Sequence, residues 1–218
     1  MPRLVVPGYP HHVIQRGNRK QRTFFAEDDY LAYIDLVAAA KDEAGVEILA
    51  YCLLPNHVHL VAIPQREDGL ARLFRDAHRT YTRRINLAHD WRGHLWQERF
   101  HSFVMDEGHL IACVRYVELN PARAGLCKEP GEWAWSSVNA HLARADDRLV
   151  TVRPMLDRID DWKGYLLRSE DERSLETIRR HSRTGRPAGS EDFIRHLEAL
   201  TGRRIRKKRA GRKPGDKK

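Results

Sequence analysis

Residues 46–63 constrain the fold more than any other part of the chain, because they hold two strand-like runs with almost nothing between them. The runs read VEILAYCLL and HVHLVAI, and only Pro55 and Asn56 separate them. Both runs are rich in the apolar and β-branched residues of buried strands. Parallel neighbours need a crossover of a dozen or more residues, whereas so short a connection fits an antiparallel hairpin. The chain is therefore expected to contain an antiparallel sheet.

The elements on either side of this hairpin predict the rest of the fold. A strand in HHVIQRGNR and a helix from Glu27 to about Ala44 precede it, and a helix over residues 67–88 and a strand in RFHSFVM follow. This β-α-β-β-α-β order is typical of a ferredoxin-like α+β domain, an antiparallel sheet with helices on one face. A further helix in DEGHLIACVRYVELNP is expected to start after the cap residue Asp106 and to stop before Pro121.

Composition divides the chain into three units. Residues 1–142 form the predicted first domain, residues 143–202 a helical C-terminal extension, and residues 203–218 a disordered basic tail. The tail holds ten Lys and Arg and one Asp, whereas the other 202 residues hold 29 basic and 29 acidic side chains. Such a block repels itself and suits the phosphate backbone of a nucleic acid, with improved solubility as the alternative. Its candidate DNA contacts are Arg203, Arg204, Arg206, Lys207, Lys208 and Arg209.

Other classes of protein are disfavoured by what the sequence lacks. Hydrophobic residues make up 41% of the 218 residues, yet no apolar run approaches the roughly 20 residues that span a bilayer. The N-terminus has no signal-peptide core, so a cytoplasmic location without a membrane is expected. The three cysteines form no CxxC pair, which argues against a disulfide framework and a zinc ribbon.

A stripe of arginines follows the helix predicted over residues 67–88. Apolar side chains at helical spacing make its buried side, and the opposite side carries Arg72, Arg75, Arg79 and Arg83. These four residues could track a nucleic-acid backbone. An ordinary solvated helix face is the alternative.

Two histidines lie two positions apart in the second strand of the hairpin. Because side chains alternate along a strand, His57 and His59 point to the same face while Val58 points to the other. Neighbouring imidazoles on one face could ligate one metal ion together. The alternative is a pair of histidines on a half-exposed strand, bonded to water or backbone. A binuclear metallohydrolase is disfavoured, because Val61 stands where such sites typically carry Asp.

The helix before Pro121 carries a second group of candidate residues. At 100° per residue, Tyr116 and Asn120 share a side of this helix with His109 and Cys113. The main apolar stripe of Leu110, Val114 and Val117 lies on another side. A terminal helix in a ferredoxin-like domain can lie across the open face of the sheet, where the two histidines would be.

The blocks YCLLPNHVHLVAIP and RYVELNPARAGL resemble the signatures of the single-tyrosine HUH transposase superfamily. Further stretches, PHHVIQRGNRKQRTFF, GHLWQERFHSFVMD and WAWSSVNAHL, extend the similarity over roughly residues 7–142. Together they resemble the bacterial branch called REP-associated tyrosine transposases. The resemblance implies a nucleoid-associated enzyme that cleaves and rejoins single-stranded DNA beside palindromic hairpins, as a monomer or a homodimer.

Each matching position inherits an expected role from this resemblance. His57 and His59 match the metal ligands, Tyr116 the nucleophile, and Asn120 the position of a third ligand that is often Gln in relatives. A divalent ion, Mg²⁺ or Mn²⁺, is then expected, together with a covalent 5′-phosphotyrosine intermediate. Arg16 and Asn18 are candidates for reading bases.

Two other functions remain open from the sequence. A hairpin-binding regulator could keep this fold and lose turnover, although all four matching residues are present. An RNA-binding domain of the same topology is a weaker alternative, since HVHLVAIP lacks the aromatic residues on which bases stack.

Overall fold

The computed structural model describes residues 3–169 and 171–206. The strands are β1 (His11–Arg16), β2 (Val46–Leu54), β3 (His57–Pro64) and β4 (His101–Val104). The helices of the first half are α1 (Glu27–Ala44), α2 (Gly69–Ala88), α3 (Glu107–Glu118) and α4 (Asn120–Arg123). The remaining helices are α5 (Val138–Ala143), α6 (Arg153–Leu156), α7 (Trp162–Leu167), α8 (Glu172–Thr184) and α9 (Glu191–Thr201).

The four strands form one antiparallel sheet in the order β2-β3-β1-β4. With the helices between them, this order is the ferredoxin-like arrangement, so the predicted fold class is confirmed. The hairpin turns at Pro55 and Asn56 as expected. Gly45 ends α1 in the left-handed conformation with a φ of 63°, which glycine adopts without strain.

Both faces of the sheet are covered, and the register assigns each residue to a face. His59 lies opposite Ile14 on β1 and Cys52 on β2, so these side chains share one face. Helix α3 packs on this face, because its Tyr116 ring lies against the ring of His59. Helices α1 and α2 pack on each other and against the opposite face, where residues such as Leu60 are buried.

Segments of the C-terminal half run along both edges of the sheet. At the β2 edge, Leu53 donates a backbone hydrogen bond to Trp135, and Ser137 donates one to Tyr51. At the β4 edge, Ala188 donates a backbone hydrogen bond to Val104. Unpaired strand edges invite association with other chains, so these segments complete the sheet as well as covering it.

The end of the described chain differs from the predicted disordered tail. Residues 203–206 follow α9, and the backbone amides of Ile205 and Arg206 donate to the Glu198 carboxylate at 2.7 and 2.9 Å. Ile205 also packs on a small core formed by Val6, Val104 and Leu197. Composition could not reveal these contacts, because they depend on where α9 ends. The rest of the predicted tail, residues 207–218, lies outside the described residues.

Two further sequence expectations concern membranes and cysteines. Among residues 3–169 and 171–206, none of the helices has the length and apolar character needed to cross a bilayer. Cys52, Cys113 and Cys127 are free thiols, and the first two are buried.

Candidate functional site

The histidine pair lies on β3, one of the two inner strands of the sheet. As period-two alternation requires, the imidazoles of His57 and His59 point to the same face, with ring centroids 4.9 Å apart. His59 is buried and His57 is half-buried at the mouth of the site. The strand therefore presents two nitrogen ligands side by side.

The His59 ring has one nitrogen bonded and one without a partner. Its Nδ1 lies 2.9 Å from Nε2 of His12, a buried residue of β1 that the sequence analysis did not single out. Its Nε2 is buried and makes no hydrogen bond to any described residue. A buried polar atom without a partner is rare, and a metal ligand held through its other ring nitrogen has this arrangement.

The His57 ring is oriented by Asn56. The side chain of Asn56 donates to the carbonyl of Lys20 at 3.3 Å, so its oxygen faces His57. Nδ1 of His57 lies 2.6 Å from this oxygen and must donate, which leaves the lone pair of Nε2 available. Both histidines of the pair are thus prepared to ligate through Nε2.

The imidazoles of the site are held in their neutral form. Burial lowers the pKa of His12 to about 3 and, together with the charge of Arg16, that of His57 to about 3. The pKa of His59 lies well below 6.5 for the same first reason, and the nearby His12, His57 and Arg16 lower it further. Neutral imidazole is the form that binds metal ions, and these rings keep it well below neutral pH.

Tyr116 lies above the histidines on α3. Its ring centroid is 6.1 Å from that of His59 and 6.0 Å from that of His12, in edge-to-face geometry. The guanidinium of Arg123 stands over the other side of the tyrosine ring, 4.3 Å from the centroid, and donates to the Tyr116 carbonyl. The structure therefore brings Tyr116 and the histidine pair together within a single chain.

Asn120 is placed differently from the prediction of one continuous helix. Helix α3 ends at Glu118, and Asn120 is the first residue of the short helix α4. Its side-chain nitrogen is buried without a partner, and within the described ranges no hydrogen bond joins Asn120 to either imidazole. Nor do three His, Cys, Asp or Glu side chains of the described chain converge as a metal site. A third ligand would have to be an amide such as that of Asn120.

A cavity of about 430 Å³ opens in front of Tyr116 and His59. Arg16 and Gln97 line one side, and Arg179, Ser182 and Arg183 of α8 line the other. Ser182 lies 3.5 Å from Nδ1 of His12. The sequence gave no sign that α8 borders this cavity, because its neighbours in space lie more than 60 residues away along the chain. His12 shares a strand face with Arg16, but only the register of β1 against β3 places it beside His59.

The predicted DNA-binding residues fall into separate places. Arg16 borders the catalytic cavity, and Asn18 lies in the turn after β1, where its amide donates to Leu95. The stripe Arg72, Arg75, Arg79 and Arg83 lies on α2, on the sheet face opposite the histidines, and Arg72 and Arg75 pair with neighbouring carboxylates. Arg203, Arg204 and Arg206 follow α9, and Arg206 pairs with Glu198 at 2.6 Å. Lys207, Lys208 and Arg209 lie outside the described residues.

Comparisons with known proteins agree on one family. The model of the family described as "Transposase IS200 like" matches residues 6–120, a range that includes Tyr116, Asn120 and both histidines of β3. A REP-associated tyrosine transposase of Escherichia coli K12 is 23% identical over 127 residues, which cover 58% of this chain and 74% of the relative. A relative from Haemophilus influenzae is 26% identical over 129 residues, covering 54% of this chain and 67% of its own.

One solved structure shows the same fold. It is the structure of a REP-associated tyrosine transposase bound to a REP hairpin, with a TM-score of 0.57 and 20% sequence identity. The match covers 69% of this chain and 93% of that chain.

Proposed function

The chain belongs to the IS200-like transposase family, and we propose that it is a metal-dependent endonuclease and strand transferase acting on single-stranded DNA. The observation that carries this proposal is the unpaired, buried Nε2 of His59 facing the cavity that Tyr116 borders. A tyrosine and a prepared histidine pair in one cavity are the two components that such chemistry requires. Because both lie in one chain, the proposal is compatible with a monomer and with a homodimer.

The donor set fits a divalent cation. Nε2 of His57 and Nε2 of His59 would hold it, and Asn120 would add an amide oxygen. Imidazole with oxygen donors suits Mn²⁺ better than Mg²⁺, which prefers oxygen ligands alone. A bound divalent ion would withdraw charge from a phosphate and orient it.

Tyr116 is the proposed nucleophile. Its phenolic oxygen attacks the phosphorus, a bond from that oxygen to phosphorus forms, and the bond from phosphorus to the 3′ oxygen breaks. The proton lost by the phenol is balanced by the one that the 3′ oxygen gains. The products are a 5′-phosphotyrosine and a free 3′-hydroxyl, which can reverse the step or be replaced by another strand. Because the phosphodiester energy is kept in the covalent intermediate, strand joining needs no ATP.

The proposed substrate is single-stranded DNA beside a hairpin. The relative of known structure is bound to a REP hairpin, and the guanidinium groups of Arg16, Arg179 and Arg183 at the cavity suit a phosphate backbone. Base reading by Arg16 and Asn18 belongs to the same proposal. The arginine stripe of α2 and the basic residues after α9 would contact phosphates farther from the cleaved bond. We place this activity in the bacterial cytoplasm, on the nucleoid.

A hairpin-binding regulator without turnover is the second candidate. The observation that favours it is the position of Asn120, whose side chain makes no hydrogen bond to the imidazoles in the described part of the chain. If the third ligand is absent, the ion would be held by two residues only.

Formation of a covalent adduct separates the two candidates. The protein is incubated with labelled single-stranded oligonucleotides that carry hairpins, in Mn²⁺, Mg²⁺ or EDTA, beside Tyr116→Phe and His57→Ala. We expect an adduct that resists denaturant, needs the metal, and is lost in both variants, while Tyr116→Phe still binds the hairpin. Hairpin binding without an adduct under any condition would contradict the nuclease and support the regulator.

A further inference from the structure

A second and larger cavity continues from the catalytic one. Its volume is about 630 Å³, and it is formed by the N-terminal segment, the start of β4, the α8–α9 connection and the residues after α9. His101 and Arg183 line both cavities. A chain molecule seated at Tyr116 can therefore extend into the second cavity without crossing a wall. The two form one path over the surface.

The second cavity, here called the arginine cavity, is strongly basic. Its lining includes the arginines Arg3, Arg99, Arg183, Arg186 and Arg203, against the single carboxylate of Glu98. Arg183 pairs with Glu176 at 3.0 Å. Arg99 and Arg186 form no ion pair with any residue in the described part of the chain. An excess of positive charge gathered in a concave surface attracts anions.

The arginines are positioned by the backbone and by an aromatic ring. Arg3 donates to the carbonyl of Phe100 at 3.2 Å, and its guanidinium lies 3.9 Å from the centroid of the Phe100 ring. Arg203 donates to the carbonyl of Arg3 at 3.1 Å. Burial first, and then the charge of Arg99, lowers the pKa of Arg3, which shows that the positive charges repel one another here. A bound anion would relieve this repulsion.

The rest of the lining is apolar, which distinguishes between possible anions. Leu4, Phe100, Pro187 and Ile205 contribute to the walls between the arginines. A free phosphate ion would use the guanidinium groups alone. A nucleotide chain also offers sugars and bases, which can cover apolar surface and stack on arginine planes.

We propose that the arginine cavity binds the phosphates of the single DNA strand that continues from the bond at Tyr116. This inference rests on the proposed function and adds to it a location for one flank of the cleaved strand. In this arrangement the catalytic cavity holds the reacting phosphate, and the arginine cavity holds the nucleotides next to it.

The test measures the salt dependence of strand binding. Binding of a fluorescein-labelled 20-nucleotide oligothymidylate is followed by anisotropy across a salt series, in the Tyr116→Phe background so that no adduct forms. Arg99→Ala/Arg186→Ala is compared with Lys163→Ala/Arg173→Ala, which also removes two charges but from exposed positions that line neither cavity. Thermal melts of both double variants check that they are folded.

We expect Arg99→Ala/Arg186→Ala to lower the salt slope by about 1.4, since each phosphate contact to a single strand contributes about 0.7. The control should leave the slope unchanged. Equal changes in both variants, no change in either, or no strand binding by the parent would overturn the inference. So would inorganic phosphate protecting the parent against heat as well as the oligonucleotide does, because the cavity would then be a small-anion site.

The adduct assay keeps this inference separate from the proposed function. An adduct in the unmodified protein together with an unchanged salt slope would leave the nuclease standing and remove the arginine cavity. A lost slope without any adduct would do the reverse.

Discussion

Asn56 determines how well the histidine pair can bind a metal ion. It is the second residue of a two-residue hairpin connection, and its amide spans from the Lys20 carbonyl to Nδ1 of His57. The neighbouring Gly17 has room for no side chain, because a Cβ there would lie 2.3 Å from the Gln21 carbonyl oxygen. The loop after β1 and the hairpin connection thus fix each other, and the orientation of His57 depends on both.

Replacing Asn56 is expected to weaken metal binding without unfolding the protein. In Asn56→Ala the imidazole of His57 loses the acceptor that fixes its tautomer, and such outer partners typically account for a roughly 10- to 100-fold difference in affinity. Titration with Mn²⁺, followed by calorimetry, measures this change. Asn139→Ala, at an exposed asparagine that donates to Gly131, is the matched control. Equal Mn²⁺ affinity in the parent and both variants would contradict the role of Asn56.

At this scale the sequence predicts what alternation alone decides. That His57 and His59 share a face follows from the period of a strand, and the structure agrees. That His12 lies against His59 depends on a register between strands 47 residues apart in the chain. No local pattern encodes that register, so the partner of His59 could not be foreseen.

The tyrosine helix is held at its C-terminal end by one buried carboxylate. Oε1 of Glu118 accepts hydrogen bonds from Ser137 and His141, both at 2.6 Å. Oε2 accepts one from the Trp162 indole at 2.9 Å. Glu118, Ser137 and His141 are fully buried. Through this cluster, α3 is attached to α5 and α7, two residues beyond Tyr116.

Removing this carboxylate should destabilise the protein strongly. In Glu118→Ala three buried donors lose their acceptor, and breaking a buried polar network of this kind costs roughly 3–5 kcal/mol. Urea unfolding at neutral pH measures the free energy. Ser137→Ala, which removes one donor and leaves two, should cost roughly 1 kcal/mol. Similar losses in the two variants would show that the carboxylate does not organise the cluster.

The elements themselves follow from local signals, and their attachments do not. Asp106 caps α3 and Ser190 caps α9 as predicted, since a cap is recognisable within four residues. The role of Glu118 was not predicted, although it lies in a recognised block. Its partners are 19 to 44 residues later in the chain, and only the folded structure brings them together.

Considered as a whole, the molecule does not divide cleanly after residue 142. Apolar residues beyond that point belong to the main core, among them Leu149, Val150, Met155, Trp162 and Ile178. Val150 also pairs with Ile48 on β2, and Ala188 covers the edge of β4. The division predicted from composition describes where the sequence changes character. The order of the strands, by contrast, follows from the first half of the chain alone.

A chain ending at residue 142 is therefore expected not to fold stably. Each large apolar side chain removed from the core forfeits roughly 1.5–3 kcal/mol, and five of them together match the total stability of a typical domain. Circular dichroism and analytical ultracentrifugation of the truncated chain measure folding and association. A chain ending at Arg206 keeps the contacts described above and is the control. A truncated chain with a cooperative melt near that of the control would show that the extension is dispensable.

The position of β3 has a consequence for motion. This strand is bonded on both sides, to β2 and to β1, so its amides exchange with solvent only when much of the sheet opens. The histidines thus sit in the most protected layer of the molecule, while the tyrosine belongs to a helix that rests on that layer. Any displacement needed to exchange one DNA end for another would then be made by the nucleophile, with the ligands acting as the fixed frame.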